Sequence, residues 1–185
     1  PWLRTIMSRF SNRIISSPGI YEVLSYEASL ELFDINGIDA KFQKRERVRY
    51  LQDHVLAYHD QAWGEGEILV DFQCTPGIPV DVFHRDNKTM VLISLREERQ
   101  TGDVDDFEIR WNMQSAFIFA QESWATHIKH KTKNLALRVV FPQFRPPGQV
   151  SVAANNSGRL ADANSISKLQ LPDGRWQVTW REPRP

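Results

Sequence analysis

The densest group of residues that could carry chemistry is an acidic segment at positions 102–108. Its carboxylates are Asp103, Asp105, Asp106 and Glu108. Calcium takes about six or more oxygen ligands, often from one such loop, which makes these four side chains the candidate metal ligands. The EF-hand spacing of glycine and glutamate is absent, however. Solvated acidic turns before a strand also block edge-to-edge aggregation. We favour that interpretation and predict no bound metal.

The histidines, the cysteine and the known sequence motifs give weaker evidence for a chemical site. His54 and His59 lie five positions apart, and on a strand they would point to opposite faces and could not share a metal. The single cysteine, Cys74, shares the alternation phase of Phe72 and is predicted to be an inert core residue. Nucleophile-elbow, P-loop and dinucleotide-binding motifs are absent. We therefore predict no catalytic residue, no cofactor and no enzymatic activity.

A long hairpin is the clearest structural signal. Apolar and polar residues alternate from Leu24 to Leu32, and the alternation resumes at Ile38 after Asn36-Gly37. A three-residue loop with Gly37 in the left-handed region gives the register that pairs opposite charges across the strands. The predicted pairs are Leu32 with Ala40, Leu30 with Phe42, Glu31 with Lys41, and Glu27 with Arg45.

Further alternating or apolar runs bounded by turns bring the count to roughly nine strands. The clearest of these runs are 68–74, 90–95, 107–111, 135–141 and 176–180. With 185 residues, of which 41% are hydrophobic, the chain can bury a core. The sequence predicts an all-β domain over residues 20–185, an antiparallel β-sandwich or a partly closed barrel.

Residues 1–19 differ from the rest. Apolar residues recur at helical spacing up to position 16, the only charges there are Arg4, Arg9 and Arg13, and Pro18-Gly19 follows as a hinge. We predict an N-terminal amphipathic helix. It could pack on the sandwich, dock a partner, or lie on a membrane surface.

A basic stripe and scattered tryptophans supply the candidate contact residues. Arg45 and Arg47 share one face of the second hairpin strand, which we interpret as a solvated edge strand. Exposed tryptophans tend to anchor interfaces, and tryptophans can also line a small-molecule pocket between sheets. The predicted partner contacts are Trp2, Phe10, Arg45, Arg47 and Trp63.

Charge and cysteine content narrow the function classes. The formal net charge is zero, which argues against a nucleic-acid binder. One cysteine fits a reducing compartment, so we predict a cytoplasmic protein. Because the chain begins at Pro1 and ends at Pro185 without an obvious structural ending, we interpret it as part of a longer protein.

These observations predict a non-catalytic accessory interaction or sensor module. It would bind a partner protein, or another domain of its own chain, through a sheet face or edge and the helix. Two alternatives stay open: a peripheral lipid-binding β domain and a small-molecule-binding regulatory β-barrel.

Overall fold

The structure, a computed structural model, describes residues 3–10, 19–85, 87–128, 132–154 and 159–182. These residues form strands and one short 3-10 turn, Ala163–Ser165. The strands are β1 (Leu3–Phe10), β2 (Tyr21–Leu32), β3 (Asp39–Tyr50), β4 (Val55–Ala62), β5 (Glu67–Thr75), β6 (Ile78–Arg85), β7 (Lys88–Arg99), β8 (Val104–Gln114), β9 (Ser123–Trp124), β10 (His127–Ile128), β11 (Thr132–Phe141), β12 (Gln149–Ala154), β13 (Arg159–Leu160), β14 (Ile166–Gln170) and β15 (Trp176–Glu182). The predicted all-β class is confirmed, with more strands than the nine expected.

The largest sheet has seven strands in the order β14-β15-β11-β2-β3-β8-β5. Its pairs are antiparallel except for β2 and β11, which run parallel. Strand β3 therefore lies between β2 and β8, and its interpretation as an edge strand was wrong. Its outward arginines face carboxylates of neighbouring strands, as in Arg49, whose guanidinium lies 3.0 Å from the Glu22 carboxylate.

The predicted hairpin register between β2 and β3 is confirmed. Leu32 pairs with Ala40, and Glu31 pairs with Lys41, so the apolar residues share one face. Gly37 has a φ of 73°, and a Cβ built there would lie 2.0 Å from the Phe117 carbonyl oxygen. Only glycine fits this turn, because any side chain would be strained and would clash with backbone.

A second sheet consists of β4, β7 and β6, all antiparallel, with β7 in the middle. Its inward side chains include Tyr58, Val91 and Ile93, each at most 2% exposed. The Tyr58 ring stacks on Phe107 of β8 at 4.1 Å between ring centroids. The small sheet thus packs against the inward face of the seven-stranded sheet.

A third sheet brings the N-terminal segment into the fold. β1 runs parallel to β9, β10 and β12, and β12 pairs with β13. The predicted helix is corrected here, because Leu3–Phe10 is a strand. The apolar spacing suited a helix, but six residues of β1 are in register with β12, and such long-range pairing outweighs local periodicity. The rest of the predicted helix lies outside the described residues.

The buried side chains of the three sheets form one core. It joins Leu30 and Val48 of the large sheet to Ile93 of the small sheet and Val152 of β12. The arrangement is sandwich-like, and across the described residues the sheets do not close into a barrel. In that same part of the chain, no helix is long and apolar enough to cross a membrane.

Candidate functional site

A cavity of about 370 Å³ opens between the seven-stranded and the three-stranded sheets. Strands β2, β3 and β8 form one wall, and β4, β6 and β7 form the other. Trp124 and Thr126, in and just after β9, close one side. Gaps between sheets are a common place for small-molecule sites, so this cavity is the candidate site.

Four polar side chains that line this cavity are buried together, and we call them the Lys44 cluster: Lys44, Glu46, Tyr58 and Asp60. The Lys44 ammonium donates to Asp60 Oδ1 at 2.6 Å and to Glu46 Oε2 at 3.1 Å. Tyr58 donates its hydroxyl to the same Glu46 oxygen at 2.7 Å. The three charged residues are each no more than 7% exposed. A buried ionic group of this kind links β3 to β4 and so joins the two sheets.

Strand phase explains why these residues face inward. Lys44 and Glu46 occupy the same side of β3 as the buried residues Phe42 and Val48. On β4, Asp60 alternates with exposed His59 and faces the core. Because side chains alternate along a strand, each of these polar residues is forced into the interior.

The charges of the cluster do not balance. One ammonium faces two carboxylates. The backbone N–H of Gln61 also acts on the Asp60 carboxyl and lowers its pKa, but Asp60 Oδ2 itself has no hydrogen bond of good geometry with a described residue. Burial raises the pKa of the Asp60 carboxyl, although the Lys44 ammonium opposes the change. Burial alone would lower the pKa of Lys44, but attraction to Asp60 and Glu46 raises it well above its usual value. With both carboxylates ionised, the cluster has an excess of one negative charge.

Aromatic rings form much of the cavity wall. Phe42 lies 4.1 Å from Trp111 and 5.9 Å from Trp124, measured between ring centroids. The hydroxyls of Tyr26 and Thr126 are hydrogen-bonded at 2.5 Å. The indole nitrogen of Trp111 is buried and has no acceptor among the described residues. The wall is therefore largely aromatic, and the two unpaired atoms next to it, Trp111 Nε1 and Asp60 Oδ2, are both buried.

The structure separates the contact residues predicted from the sequence. Trp63 lines the cavity, with the Lys88 ammonium 5.0 Å from its ring. Arg45 and Arg47 lie on the opposite, outward face of the large sheet, at 3.6 Å from Glu108 and 3.7 Å from Asp106. Trp2 and the side chain of Phe10 lie outside the described residues. The described contact residues thus do not form one surface.

The four carboxylates of the acidic segment each contact a different local partner and do not converge on one point. Asp105 accepts hydrogen bonds from Tyr50 and Arg99, each at 2.9 Å. Asp103 accepts from the Gln100 amide at 2.8 Å. The other two carboxylates, Asp106 and Glu108, face the arginines of β3 as described above. Within the described ranges no three His, Cys, Asp or Glu residues are grouped as a metal site would need.

The Lys44 cluster was not among the predicted sites, although the sequence contains a signal for it. Once the hairpin register is accepted, Lys44 and Glu46 fall in the inward phase with Ala40 and Phe42. Charged residues are rarely buried without partners, so two of them in a core phase indicate a buried ionic site.

Comparison with known proteins identifies no family. No family model and no curated protein matches the chain. Among solved structures, an M1 zinc metallopeptidase from Deinococcus radiodurans aligns at 10% identity and a TM-score of 0.46, over 89% of this chain and 39% of that one. A two-domain M1 zinc metallopeptidase mutant bound to L-arginine aligns at 12% identity and a TM-score of 0.47, over 89% and 40%. The chain thus spans well under half of those proteins, and we transfer no activity from them.

The tyrosines give a direct test of this site. All four tyrosines of the chain, Tyr21, Tyr26, Tyr50 and Tyr58, have a raised pKa, chiefly because of burial, and that of Tyr26 rises to about 12. Their contribution to stability is complete below about pH 10, the usual phenol pKa, and is lost as the pH rises toward the folded values. At about pH 11 we expect the folded protein to show almost no tyrosinate absorbance, although free phenols would be largely ionised.

The matched control is the same alkaline titration in denaturing urea, where all four phenols should ionise normally. Tyrosinate absorbance at that pH, with circular dichroism still showing native strands, would contradict the burial of these rings.

Proposed function

We propose that this domain is a non-catalytic sensor module that binds a small protonated amine in the cavity between its sheets. The observation that carries the proposal is the excess carboxylate of the Lys44 cluster, with Asp60 Oδ2 left unpaired in a buried place. A buried acceptor with surplus negative charge is stabilised by a charged N–H donor. The other ionisable side chains lining the cavity, His59 and Arg85, are exposed to solvent.

The aromatic wall fits the same ligand class. Cations are attracted to the faces of Trp and Tyr rings, and flat apolar bodies stack on them. Lys44 already makes such contacts, since its ammonium lies 5.5 Å from the Tyr58 ring and 5.9 Å from the Tyr26 ring. A second amine beside Asp60 would meet a similar environment.

The protonated state of the Lys44 amine suits a role in ligand binding better than a role in catalysis. A lysine acts as a nucleophile when its pKa is lowered, so that the neutral amine is populated. Here two carboxylates raise the pKa of Lys44, and the ammonium donates to both of them. The amine stays protonated and serves to hold Asp60 and Glu46 in place.

Three probes with the same indole body and different charge test the proposal. Tryptamine should bind more tightly than the neutral alcohol tryptophol, and indole-3-acetate should bind least, because only the cation complements the extra carboxylate. Isothermal titration calorimetry at neutral pH measures the three affinities. Asp60→Asn should abolish the preference for the amine over the alcohol, a loss of about tenfold for one charge-assisted hydrogen bond.

Asp39→Asn is the matched control, because Asp39 is exposed and lies outside the cavity. It should leave all three affinities unchanged. Equal affinities for the three probes, no binding of any of them, or an amine preference that persists in Asp60→Asn would overturn the proposal.

As a second candidate function we propose partner docking, the role expected from the sequence, and strand β6 is the surface that we propose for it. Every residue of this edge strand is exposed, including Val80 at 52% and Val82 at 58%. An exposed apolar edge is a template for pairing with another strand. A second copy of β6 fits it by charge, since antiparallel pairing centred on Phe83 would place each Asp81 opposite an Arg85.

If β6 pairs with itself, sedimentation velocity should show a concentration-dependent dimer for the wild-type chain. Val82→Lys should shift it to monomer, because a charge on the paired edge opposes strand addition. Leu56→Lys is the control, as Leu56 is 59% exposed on β4. A wild-type chain that stays monomeric at millimolar concentration would exclude this role.

A further inference from the structure

A second concave site lies on the outward face of the seven-stranded sheet, away from the cavity. This groove of about 280 Å³ crosses β15, β11, β2 and β3. Three arginines from three strands line it: Arg45, Arg138 and Arg181. The remaining polar lining comes from Glu27, Ser29, Gln43, Gln177 and Thr179.

Strand register explains the shape of the groove. Arg181 of β15 pairs with Ala136 of β11, Ala136 pairs with Glu27 of β2, and Glu27 pairs with Arg45 of β3. This row of four residues thus has the Ala136 methyl group among the longer charged side chains of its neighbours. The small side chain of Ala136 leaves a depression, and the arginines form its rim.

The third arginine lies beside the same depression. Arg138 is two residues along β11 from Ala136, and its partner on β15 is Thr179. Side chains in such a diagonal relation lie about 7–8 Å apart, so the guanidiniums of Arg138 and Arg181 can contact one ligand group together. Arg45 is two strands away from β11, at about 10 Å from strand spacing, and can reach a second group.

The charges in the groove are not neutralised. Neither Arg138 nor Arg181 forms an ion pair within the described part of the chain, whereas the neighbouring Arg47 and Arg49 on the same sheet each face a carboxylate. The groove contains three guanidiniums and one carboxylate, Glu27, which leaves an excess of two positive charges. Arg45 also contacts Glu108, at 3.6 Å and with both side chains exposed, a geometry in which an ion pair contributes little.

Neutral groups in the groove are already oriented by the sheet. Gln177 donates to the Thr179 hydroxyl oxygen at 3.2 Å, and Gln43 donates to Glu108 at 2.8 Å. The Thr179 hydroxyl therefore keeps its own hydrogen available for a ligand oxygen. Guanidinium forks match the planar pairs of oxygens on phosphate and sulfate, and hydroxyls complete such sites.

We propose that this groove binds a compact ligand with two phosphate-type groups. One group lies between Arg138 and Arg181, and the other lies toward Arg45. The ligand is either a free phosphorylated molecule or the headgroup of an anionic lipid, since both present the same oxyanions. This site is independent of the amine cavity, because the sheet separates the two.

Inorganic pyrophosphate at low ionic strength is the probe for the first source. Calorimetry should show binding to the wild-type chain, and Arg138→Gln and Arg181→Gln should each weaken it about tenfold by removing a charge-assisted contact. Arg47→Gln is the matched control, since it removes the same charge from the same sheet face outside the groove and should change affinity less than about twofold.

Vesicles containing a phosphoinositide are the probe for the second source. Co-sedimentation that pyrophosphate reverses, and that Arg138→Gln loses, identifies the lipid headgroup as the ligand source. Pyrophosphate binding without co-sedimentation identifies a free ligand.

Since all three variants change exposed residues, circular dichroism should confirm their fold. Absence of pyrophosphate binding, or equal loss in all three variants, would overturn the proposal.

Discussion

The buried ammonium of Lys44 is the constraint on which the arrangement of the sheets depends. It lies on β3 in the middle of the large sheet and bonds Asp60 on β4 of the small one. Such a pair contributes little net stability, since desolvation offsets much of the attraction, but its geometry is demanding. Hydrophobic packing would tolerate a range of sheet positions, whereas Lys44 must reach two carboxylates at once. We infer that the cluster fixes how the sheets meet and keeps the cavity open between them.

The two proposed sites follow from the alternation of one strand. Along β3, Lys44 and Glu46 point into the cavity, while Arg45 and Arg47 point outward. Side-chain period two therefore places the buried Lys44 cluster on the inner face of the large sheet and the arginine-lined groove on its outer face, although the formal net charge of the chain is zero. The formal net charge does not report such local arrangements, since opposite local fields cancel in the sum.

Local patterns predicted the class of fold and the β2–β3 register, because alternation and turn chemistry are short-range properties. They failed for Leu3–Phe10, whose strand depends on pairing with β12 far along the chain. They also did not predict the Lys44 cluster. Lys44 and Asp60 are 16 positions apart and meet only when the small sheet folds over the large one. The signal that was available, a lysine in a core phase, indicates that a partner exists but not which residue it is.

The most direct test of this account is a double-mutant cycle on Lys44 and Asp60, with the free energy of unfolding measured by urea denaturation. Lys44→Met should cost about 3–5 kcal/mol, because it leaves buried carboxylates without their cation. Adding Asp60→Asn to that variant should restore more than about 1 kcal/mol, since it removes one of the unpaired charges. If the two substitutions instead add independently, each with a small effect, the Lys44 cluster does not hold the sheets together and the charge assignment of the cavity is wrong.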